Sequence, residues 1–213
     1  MSAAFSTAAL LIVDVQNDFC EGGSMGLPGT NDVVKTINRL QKLPFKQIVI
    51  TQDWHPAGHC SFASTHNKQP LEQITLPSGV VQMLWPDHCI QGTEGAKLHP
   101  QLEVHPETPI IRKGIHQHVD SYSAFFDQEK QYHTSLNDLL KSKNIDTVYV
   151  CGLAFDVCCL FTAADAKELG YKTIMVKDAT AAVNPANDDQ IMSELKSKRI
   201  DVVYSDDLVP KDA

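Results

Sequence analysis

One stretch of the chain combines an apolar strand pattern, a tight turn, two adjacent cysteines and the start of a helix. Residues 147–162 read TVYVCGLAFDVCCLFT. The β-branched beginning predicts a strand, Gly152 predicts a turn, and the helix that follows is expected to end at Gly170. A thiol at a helix start lies near the positive end of the helix dipole and near free backbone N–H groups, and both favour the thiolate. We therefore expect an α/β protein in which Cys158 or Cys159 is a catalytic nucleophile.

The rest of the chain alternates strand patterns with amphipathic helix patterns. The predicted strands are 8–13, 47–51, 109–112, 147–151, 173–176 and 200–204, and the predicted helices are 32–43, 134–142, 161–170 and 188–197. Continuous apolar runs such as 8–13 suit strands buried on both faces of a parallel sheet, which right-handed helical crossovers connect. Thr30 or Asn31 is expected to cap the first helix. No repeat or linker interrupts the pattern, so residues 1–213 are predicted to form one domain.

Composition excludes several classes of protein. The hydrophobic fraction of 43% is ordinary for a globular chain, and no apolar run approaches the roughly 20 residues that cross a bilayer, so no membrane association is expected. A formal net charge of −8 without a basic cluster argues against a nucleic-acid partner. Residues 1–15 lack a basic leader region and are interpreted as the first strand. The six cysteines contain no CxxC pair and are expected to be free thiols of an intracellular, cytoplasmic protein.

Reactive side chains follow three of the predicted strands. Asp14 ends the first strand, Lys113 follows the third, and the two adjacent cysteines lie one turn beyond the fourth. The carboxyl ends of parallel strands meet at one edge of the sheet. There a carboxylate can take the proton of a thiol while a lysine holds both anions. Each residue also has a plainer interpretation: a turn aspartate, a solvated lysine and a small buried hydrophobe.

A second group of polar residues could hold a metal ion. Asp53 and His55 are two apart in an extended segment, so their side chains point to the same side. They open a long polar excursion, 54–108, in which His88 is a candidate third ligand and His59 a fourth. A carboxylate oxygen with two or three imidazoles suits zinc, iron or manganese. With nine histidines in the chain, hydrogen-bonded loop histidines are the plainer interpretation.

Taken together, the motifs resemble a known family. The segments DVQNDFCEGG, TQDWHPAGHCSFAS, WPDHCIQGTEGAKLHP, RKG, DSYSAFFD and GLAFDVCCLFTAADA are similar to those of the nicotinamidases, in the isochorismatase-like cysteine hydrolase superfamily, and occur in the same order over roughly residues 8–185. The resemblance implies a Rossmann-like three-layer α/β fold with a six-stranded parallel sheet and helices on both faces. It also implies hydrolysis of the small molecule nicotinamide to nicotinate and ammonia, and of pyrazinamide. The family contains monomers and larger assemblies, which leaves a homo-oligomer open.

The resemblance also implies a role for each candidate residue. Asp14 becomes the base, Lys113 its charge partner and Cys158 the nucleophile. One divalent metal ion, zinc before iron or manganese, would be held by Asp53, His55 and His88; His59 stands where some members supply a fourth ligand and others leave the position to water. Phe19 and Trp85 would sandwich the pyridine ring, and Tyr122 would line the pocket. A cis peptide bond before Ala154 would aim the Ala154 N–H, with that of Cys158, at the oxyanion.

The chain departs from the family pattern at the adjacent cysteines. Neighbouring residues on a helix point about 100° apart, so only one thiol can face the cleft. The LAxDxC pattern selects Cys158 and leaves Cys159 to pack as a small hydrophobe. Val157 and Phe155 replace other residues common in this motif. The alternatives are another amidohydrolase of the superfamily, acting on N-carbamoylsarcosine or ureidoacrylate, an isochorismatase, or a binding protein without activity on the same fold.

Overall fold

The computed structural model describes residues 5–208 and builds them around a parallel sheet. Its strands are β1 (Ala8–Val13), β2 (Gln47–Asp53), β3 (Gln73–Thr75), β4 (Val81–Met83), β5 (Ile110–Lys113), β6 (Thr147–Leu153), β7 (Lys172–Ala181) and β8 (Asp201–Val203). Six of them form one sheet in the order β5-β2-β1-β6-β7-β8, in which every pair is parallel. The predicted fold class is therefore confirmed. The ends of the predicted 1–213 domain, residues 1–4 and 209–213, lie outside the described residues.

Helices cover both faces of the sheet. They are α1 (Thr30–Leu40), α2 (Leu136–Ser142), α3 (Leu160–Glu168), α4 (Asp188–Ser197) and the short α5 (Ser205–Leu208). The apolar sides of α2, α3 and α4 pack in one core with alternate residues of β1 and β6, and α1 packs in a second core with the residues between them. This alternation follows from strands buried on both faces. None of the helices among residues 5–208 is long and apolar enough to cross a membrane.

Several boundaries differ from the predicted ones. The helix α1 begins after Gly29, and neither Thr30 nor Asn31 caps it with a side chain. The strand β6 runs through Gly152 to Leu153, so the predicted turn at this glycine is wrong. Gly152 has φ of +112°, and a Cβ atom there would lie 2.1 Å from the carbonyl oxygen of Val13. Glycine at this position therefore permits close pairing of β6 with β1, which carries the chain to the edge where the reactive residues lie.

The excursion between β2 and β5 is ordered by its own small structure. It contains a short 3-10 turn, Ser64–His66, and the antiparallel hairpin of β3 and β4. Gln82 of the hairpin is fully buried. Its amide nitrogen lies 3.1 Å from both the Asp120 carboxylate and the Tyr122 hydroxyl, so the hairpin is tied to the segment that follows β5. The excursion thus covers one side of the sheet edge.

Candidate active site

The predicted reactive residues meet at the carboxyl edge of four adjacent strands. Asp14 follows β1, Asp53 ends β2 and Lys113 ends β5, and the last two are paired across the sheet. Cys158 lies in a π-helical turn, Phe155–Cys159, between β6 and α3. One acceptor or donor atom from each of Asp14, Asp53 and Cys158 lies within 4.8 Å of the others. The sheet topology therefore brings together the reactive residues that the sequence places after the predicted strands.

Lys113 is the buried cation at the centre of this group. Its Nζ atom lies 2.8 Å from Asp14 Oδ2 and 2.6 Å from Asp53 Oδ1, and it donates to the Ser121 carbonyl at 2.8 Å. The Cys158 Sγ atom is 3.6 Å away. Burial acts to lower the pKa of Lys113, but the two carboxylates outweigh it and raise the pKa well above its ordinary value. The lysine therefore stays charged and holds both anions in place.

Asp14 is suited to accept a proton. Thr51 Oγ1 donates to Asp14 Oδ1 at 2.6 Å and accepts from the Asp14 backbone N–H at 3.1 Å. Burial raises the pKa of Asp14 above its ordinary value, even though Lys113 acts to lower it. A carboxylate with a raised pKa is a stronger base than an exposed one. Thr51 was not predicted from the sequence, where it is one more residue of an apolar strand.

The protonation state of Cys158 differs from the one that a helix start favours. Burial raises the pKa of Cys158 well above its ordinary value, and Lys113 lowers it without offsetting that effect. The nearby carboxylates of Asp14 and Asp53 raise the pKa further. The resting group is thus a thiol rather than the thiolate expected at a helix start, and it needs a base to remove its proton. Cys159 is fully buried in the apolar core, as predicted for the second cysteine.

Asp53, His55 and His88 form the first candidate metal cluster. The Nδ1 atom of His55 lies 2.9 Å from the Gly114 carbonyl oxygen, and that of His88 lies 2.7 Å from the Pro86 carbonyl. In the neutral rings these bonds place the proton on Nδ1, which leaves both Nε2 lone pairs free for a cation. The two Nε2 atoms lie 3.5 and 4.0 Å from Asp53 Oδ2, respectively.

The electrostatics of this cluster suit a cation. Burial lowers the pKa of His88 to about 4, which keeps its ring neutral. Burial acts to raise the pKa of Asp53, but Lys113 and then His55 outweigh it and hold the pKa below its ordinary value. One anionic oxygen therefore faces two imidazole nitrogens, a donor set that fits a divalent metal ion.

His59 lies outside this cluster. The backbone N–H of Ser61 donates to His59 Nδ1 at 3.3 Å, which places the ring proton on Nε2, 3.3 Å from the Val119 carbonyl. Both ring nitrogens therefore have protein partners. The ring stacks on His55 with centroids 4.1 Å apart and groups with His55 and Asp120 rather than with His88. The structure brings three of the four proposed ligands together and leaves the fourth beside them.

An apolar cavity opens above the thiol. It encloses about 400 Å³ including its mouth, and all four predicted substrate contacts, Phe19, Trp85, Tyr122 and Ala154, line it. The peptide bond between Leu153 and Ala154 is cis, as the resemblance implied. The Tyr122 hydroxyl accepts hydrogen bonds from Trp85 Nε1 at 3.2 Å and from Gln82 Nε2. These bonds fix two aromatic walls relative to each other.

Several wall residues were missed in the sequence. Met25, Leu27, Asp120 and Val183 line the same cavity. Met25 and Leu27 are the only large apolar side chains in the Gly-rich segment that follows Cys20. Their isolation among small residues could have indicated that they line the cavity. Val183 and Asp120 carry no such signal, because only the chain topology brings them to the cavity.

The fold and the site together define a class, the isochorismatase-like hydrolases. An isochorismatase domain model matches residues 8–207, and the chain belongs to the isochorismatase family. Nicotinamidases of Acinetobacter baylyi and Escherichia coli are 47% and 45% identical to it. Those matches extend over 84% and 83% of this chain and 83% and 84% of the relatives.

Solved structures agree with these sequence matches. A nicotinamidase pyrazinamidase of Acinetobacter baumanii matches with a TM-score of 0.91 at 43% identity, over 96% of this chain and 99% of that one. The yeast nicotinamidase bound to the inhibitor nicotinaldehyde matches with a TM-score of 0.89 at 34% identity, over 92% and 99% of the two chains. A pyrazinamidase of Pyrococcus horikoshii in complex with zinc matches with a TM-score of 0.77 at 28% identity, over 93% and 99%.

The Thr51 contact gives a testable prediction. Thr51→Val keeps the side-chain shape but removes the donor to Asp14 and so raises the pKa of that carboxyl further. We expect kcat/KM to fall about tenfold or more, since a hydrogen bond to a charged group contributes about 1.5–3 kcal/mol. Asp14 must be ionised to act as a base, so the acid limb of the pH–rate profile should move to higher pH.

A matched variant separates this effect from a loss of stability. Thr173 is a buried threonine of another strand, β7, and its hydroxyl donates to the Tyr171 carbonyl at 3.2 Å. Thr173→Val should therefore leave the acid limb in place. An unmoved limb in Thr51→Val would show that the contact does not tune Asp14.

Proposed function

We propose that this chain hydrolyses nicotinamide to nicotinate and ammonia, and hydrolyses pyrazinamide in the same way. The observation that carries the proposal is the position of the Cys158 thiol, which lies between the buried Asp14–Lys113 ion pair and an apolar, aromatic-walled cavity. His88 and Asp53 line the same cavity, so a ring bound there would lie beside the candidate metal cluster. Nicotinamidases at 45–47% identity support the same substrate.

The charge of the cavity favours a neutral amide over the alternatives. N-carbamoylsarcosine, ureidoacrylate and isochorismate all carry carboxylates, which call for a cationic partner in the pocket. Among the described residues that line this cavity, none is arginine or lysine, and Asp120 contributes a carboxylate. Nicotinamide and pyrazinamide carry no net charge. The cavity therefore disfavours the other substrates of the superfamily.

The first half of the reaction makes a thioester. Asp14 takes the proton from Cys158 Sγ as the sulfur attacks the carboxamide carbon, and Lys113 remains protonated between the two carboxylates. The backbone N–H groups of Ala154 and Cys158 are proposed to donate to the oxyanion that forms. Asp14 then gives its proton to the leaving nitrogen, ammonia departs, and the acyl group stays on sulfur.

The second half returns the thiol. Asp14, again ionised, takes a proton from a water molecule that attacks the thioester carbonyl. The tetrahedral intermediate collapses, the C–S bond breaks, nicotinate leaves, and Asp14 returns its proton to Cys158. The apolar walls formed by Phe19 and Trp85 exclude other water from the ring. One carboxylate thus transfers protons in both halves of the cycle.

We propose that one divalent metal ion, zinc before iron or manganese, is held by Asp53, His55 and His88. The donor set of this chain fits such an ion, and the zinc complex of the Pyrococcus horikoshii pyrazinamidase supports zinc. When bound, the ion would supply a Lewis acid for the pyridine nitrogen and so orient the ring. His59 is proposed to orient the neighbouring His55 ring by stacking rather than to act as a fourth ligand.

We also propose an intracellular, cytoplasmic location for this protein. All six cysteines are unpaired and buried, which suits a reducing compartment.

A direct assay tests the proposed function. The purified chain is given nicotinamide, pyrazinamide, N-carbamoylsarcosine or ureidoacrylate, and ammonia is measured by a coupled assay. Cleavage of isochorismate is followed as pyruvate release. We expect turnover of nicotinamide and pyrazinamide only. Preferred turnover of a carboxylate-bearing substrate would contradict the proposal, and a chain inactive on all of them would support a binding protein.

Metal removal gives a second prediction. Chelation of the divalent metal is expected to raise the KM for nicotinamide about tenfold or more, and added zinc should restore it. His88→Ala should show the same defect without chelator. His66→Ala is the control, because His66 also bonds a backbone carbonyl, that of Cys60, but belongs to no ligand cluster among residues 5–208. Full nicotinamide affinity in a demonstrably metal-free preparation would contradict the metal assignment.

A further inference from the structure

Asp156 joins the turn that carries the nucleophile to a distant segment. It lies two residues before Cys158 in the turn Phe155–Cys159. Its Oδ1 atom accepts the backbone N–H of Val183 at 2.8 Å, and its Oδ2 atom accepts that of Asn184 at 2.8 Å. A carboxylate that receives two backbone donors holds them by charge-assisted hydrogen bonds, which are shorter and stronger than neutral ones.

The segment held in this way forms part of the cavity wall. Val183 comes two residues after the end of β7, and its side chain lines the cavity with Val157, the residue after Asp156. The next residue, Asn184, caps the following 3-10 turn by accepting the Ala186 N–H at 3.2 Å. The position of the wall at Val183 is therefore set from one side by this cap and from the other by the Asp156 carboxylate.

We propose that Asp156 is a positioning residue that fixes Val183 against the substrate and so sets the width of the cavity around the ring. The inference rests on the proposed function, because it takes the cavity to be the one that binds nicotinamide. Asp156 does not touch the reacting atoms; it acts through the wall that its two hydrogen bonds hold. A methyl group added to a substrate in a fixed apolar pocket changes kcat/KM by about 10–200-fold, so the wall governs which ring substituents are accepted.

The expected effect of Asp156→Asn follows from its chemistry. The amide oxygen can accept one of the two N–H groups, but the amide nitrogen faces the other as a second donor. The segment loosens, and we expect KM for nicotinamide to rise about tenfold while kcat changes less than about threefold, because Asp14, Lys113 and Cys158 keep their contacts. Discrimination against at least one ring-methylated nicotinamide should relax about tenfold.

A double-variant comparison makes this a test of positioning. Val183→Ala removes the wall itself and should reproduce the KM increase and the relaxed discrimination. In the double variant Asp156→Asn, Val183→Ala, the KM should be no more than about twofold above that of either single variant. Both substitutions remove the same feature, the fixed wall at Val183, so their effects should not multiply. The matched control is Asp178→Asn: Asp178 also accepts a backbone N–H, that of Ser205 at 2.7 Å, but Ser205, unlike Val183, does not line the cavity. Its kinetic constants should be those of the unaltered chain.

Amide hydrogen exchange gives a readout that does not depend on turnover. In Asp156→Asn, the Val183 and Asn184 amides should exchange at least about tenfold faster, and in Asp178→Asn they should not change. Unchanged exchange, or single-variant effects on KM that multiply in the double variant, would overturn the inference. Turnover of nicotinamide by the unaltered chain in the same assay reports separately on the proposed function.

Discussion

Cys158→Ala is expected to abolish ammonia release from nicotinamide, by about 10⁴-fold or more, whereas Cys159→Ala should retain turnover within about threefold. Cys158 Sγ lies 3.6 Å from Lys113 Nζ and lines the substrate cavity. Cys159 is the next residue along the same turn, yet it is fully buried in the apolar core and does not line this cavity. The two thiols therefore have different surroundings although they are adjacent in the chain.

This pair of variants is its own control. Both remove one buried sulfur atom, so both should lower the free energy of unfolding by about 1 kcal/mol, which urea titration can check. A large kinetic difference between two variants of similar stability then reports on chemistry alone. An active Cys158→Ala with an inactive Cys159→Ala would reverse the assignment of the nucleophile.

Lys113→Met is expected to damage stability and catalysis together. The substitution leaves the Asp14 and Asp53 carboxylates buried without their shared cation, and breaking a buried ion pair in this way costs about 3–5 kcal/mol of unfolding free energy. Without Lys113 the pKa of Asp14 rises further, so a smaller fraction of the carboxyl is ionised and able to take the thiol proton. We expect kcat to fall about 10²–10⁴-fold, the usual contribution of a positioned base.

The pH dependence of the stability loss distinguishes this mechanism from a simple packing defect. Protonation of the two carboxylates removes the unpaired charges, so the stability deficit of Lys113→Met should be smaller at pH 5 than at pH 8. Urea unfolding at both pH values measures it. Lys130→Met serves as the control, because Lys130 is half exposed and its pair with Glu168 should contribute only about 0–1 kcal/mol. A deficit equal at the two pH values would contradict the role of the buried charge.

The grouping of Asp14, Lys113 and Cys158 was predictable because it depends on local patterns and one topological rule. Asp14 and Lys113 follow buried strands, and parallel strands gather such residues at one edge. The helix start alone favours a thiolate, but burial outweighs it and raises the pKa of Cys158. The pKa of a thiol depends on what buries it, and the nearby Asp14 carboxylate comes from a strand far away in the sequence.

The parts that sequence patterns missed are held by single long-range contacts. The hairpin β3–β4 has three-residue strands, too short to show an alternating pattern, yet its Gln82 reaches the Tyr122 hydroxyl 40 positions away. Val183 lines the cavity, and its backbone N–H is bonded by Asp156, 27 positions earlier in the chain. The strand β6 continues through Gly152 because that residue lies against Val13 on the neighbouring strand. Such contacts form only in the complete fold, so local sequence propensity does not predict them.

The two oxygens of Asp53 serve different halves of the site. One pairs with Lys113 at 2.6 Å, and the other faces the Nε2 atoms of His55 and His88. A single side chain therefore belongs both to the group proposed to activate sulfur and to the group that would hold the ring. Replacing Asp53 would therefore disturb both halves of the site at once, because it would remove one of the two carboxylate partners of Lys113 together with a proposed metal ligand.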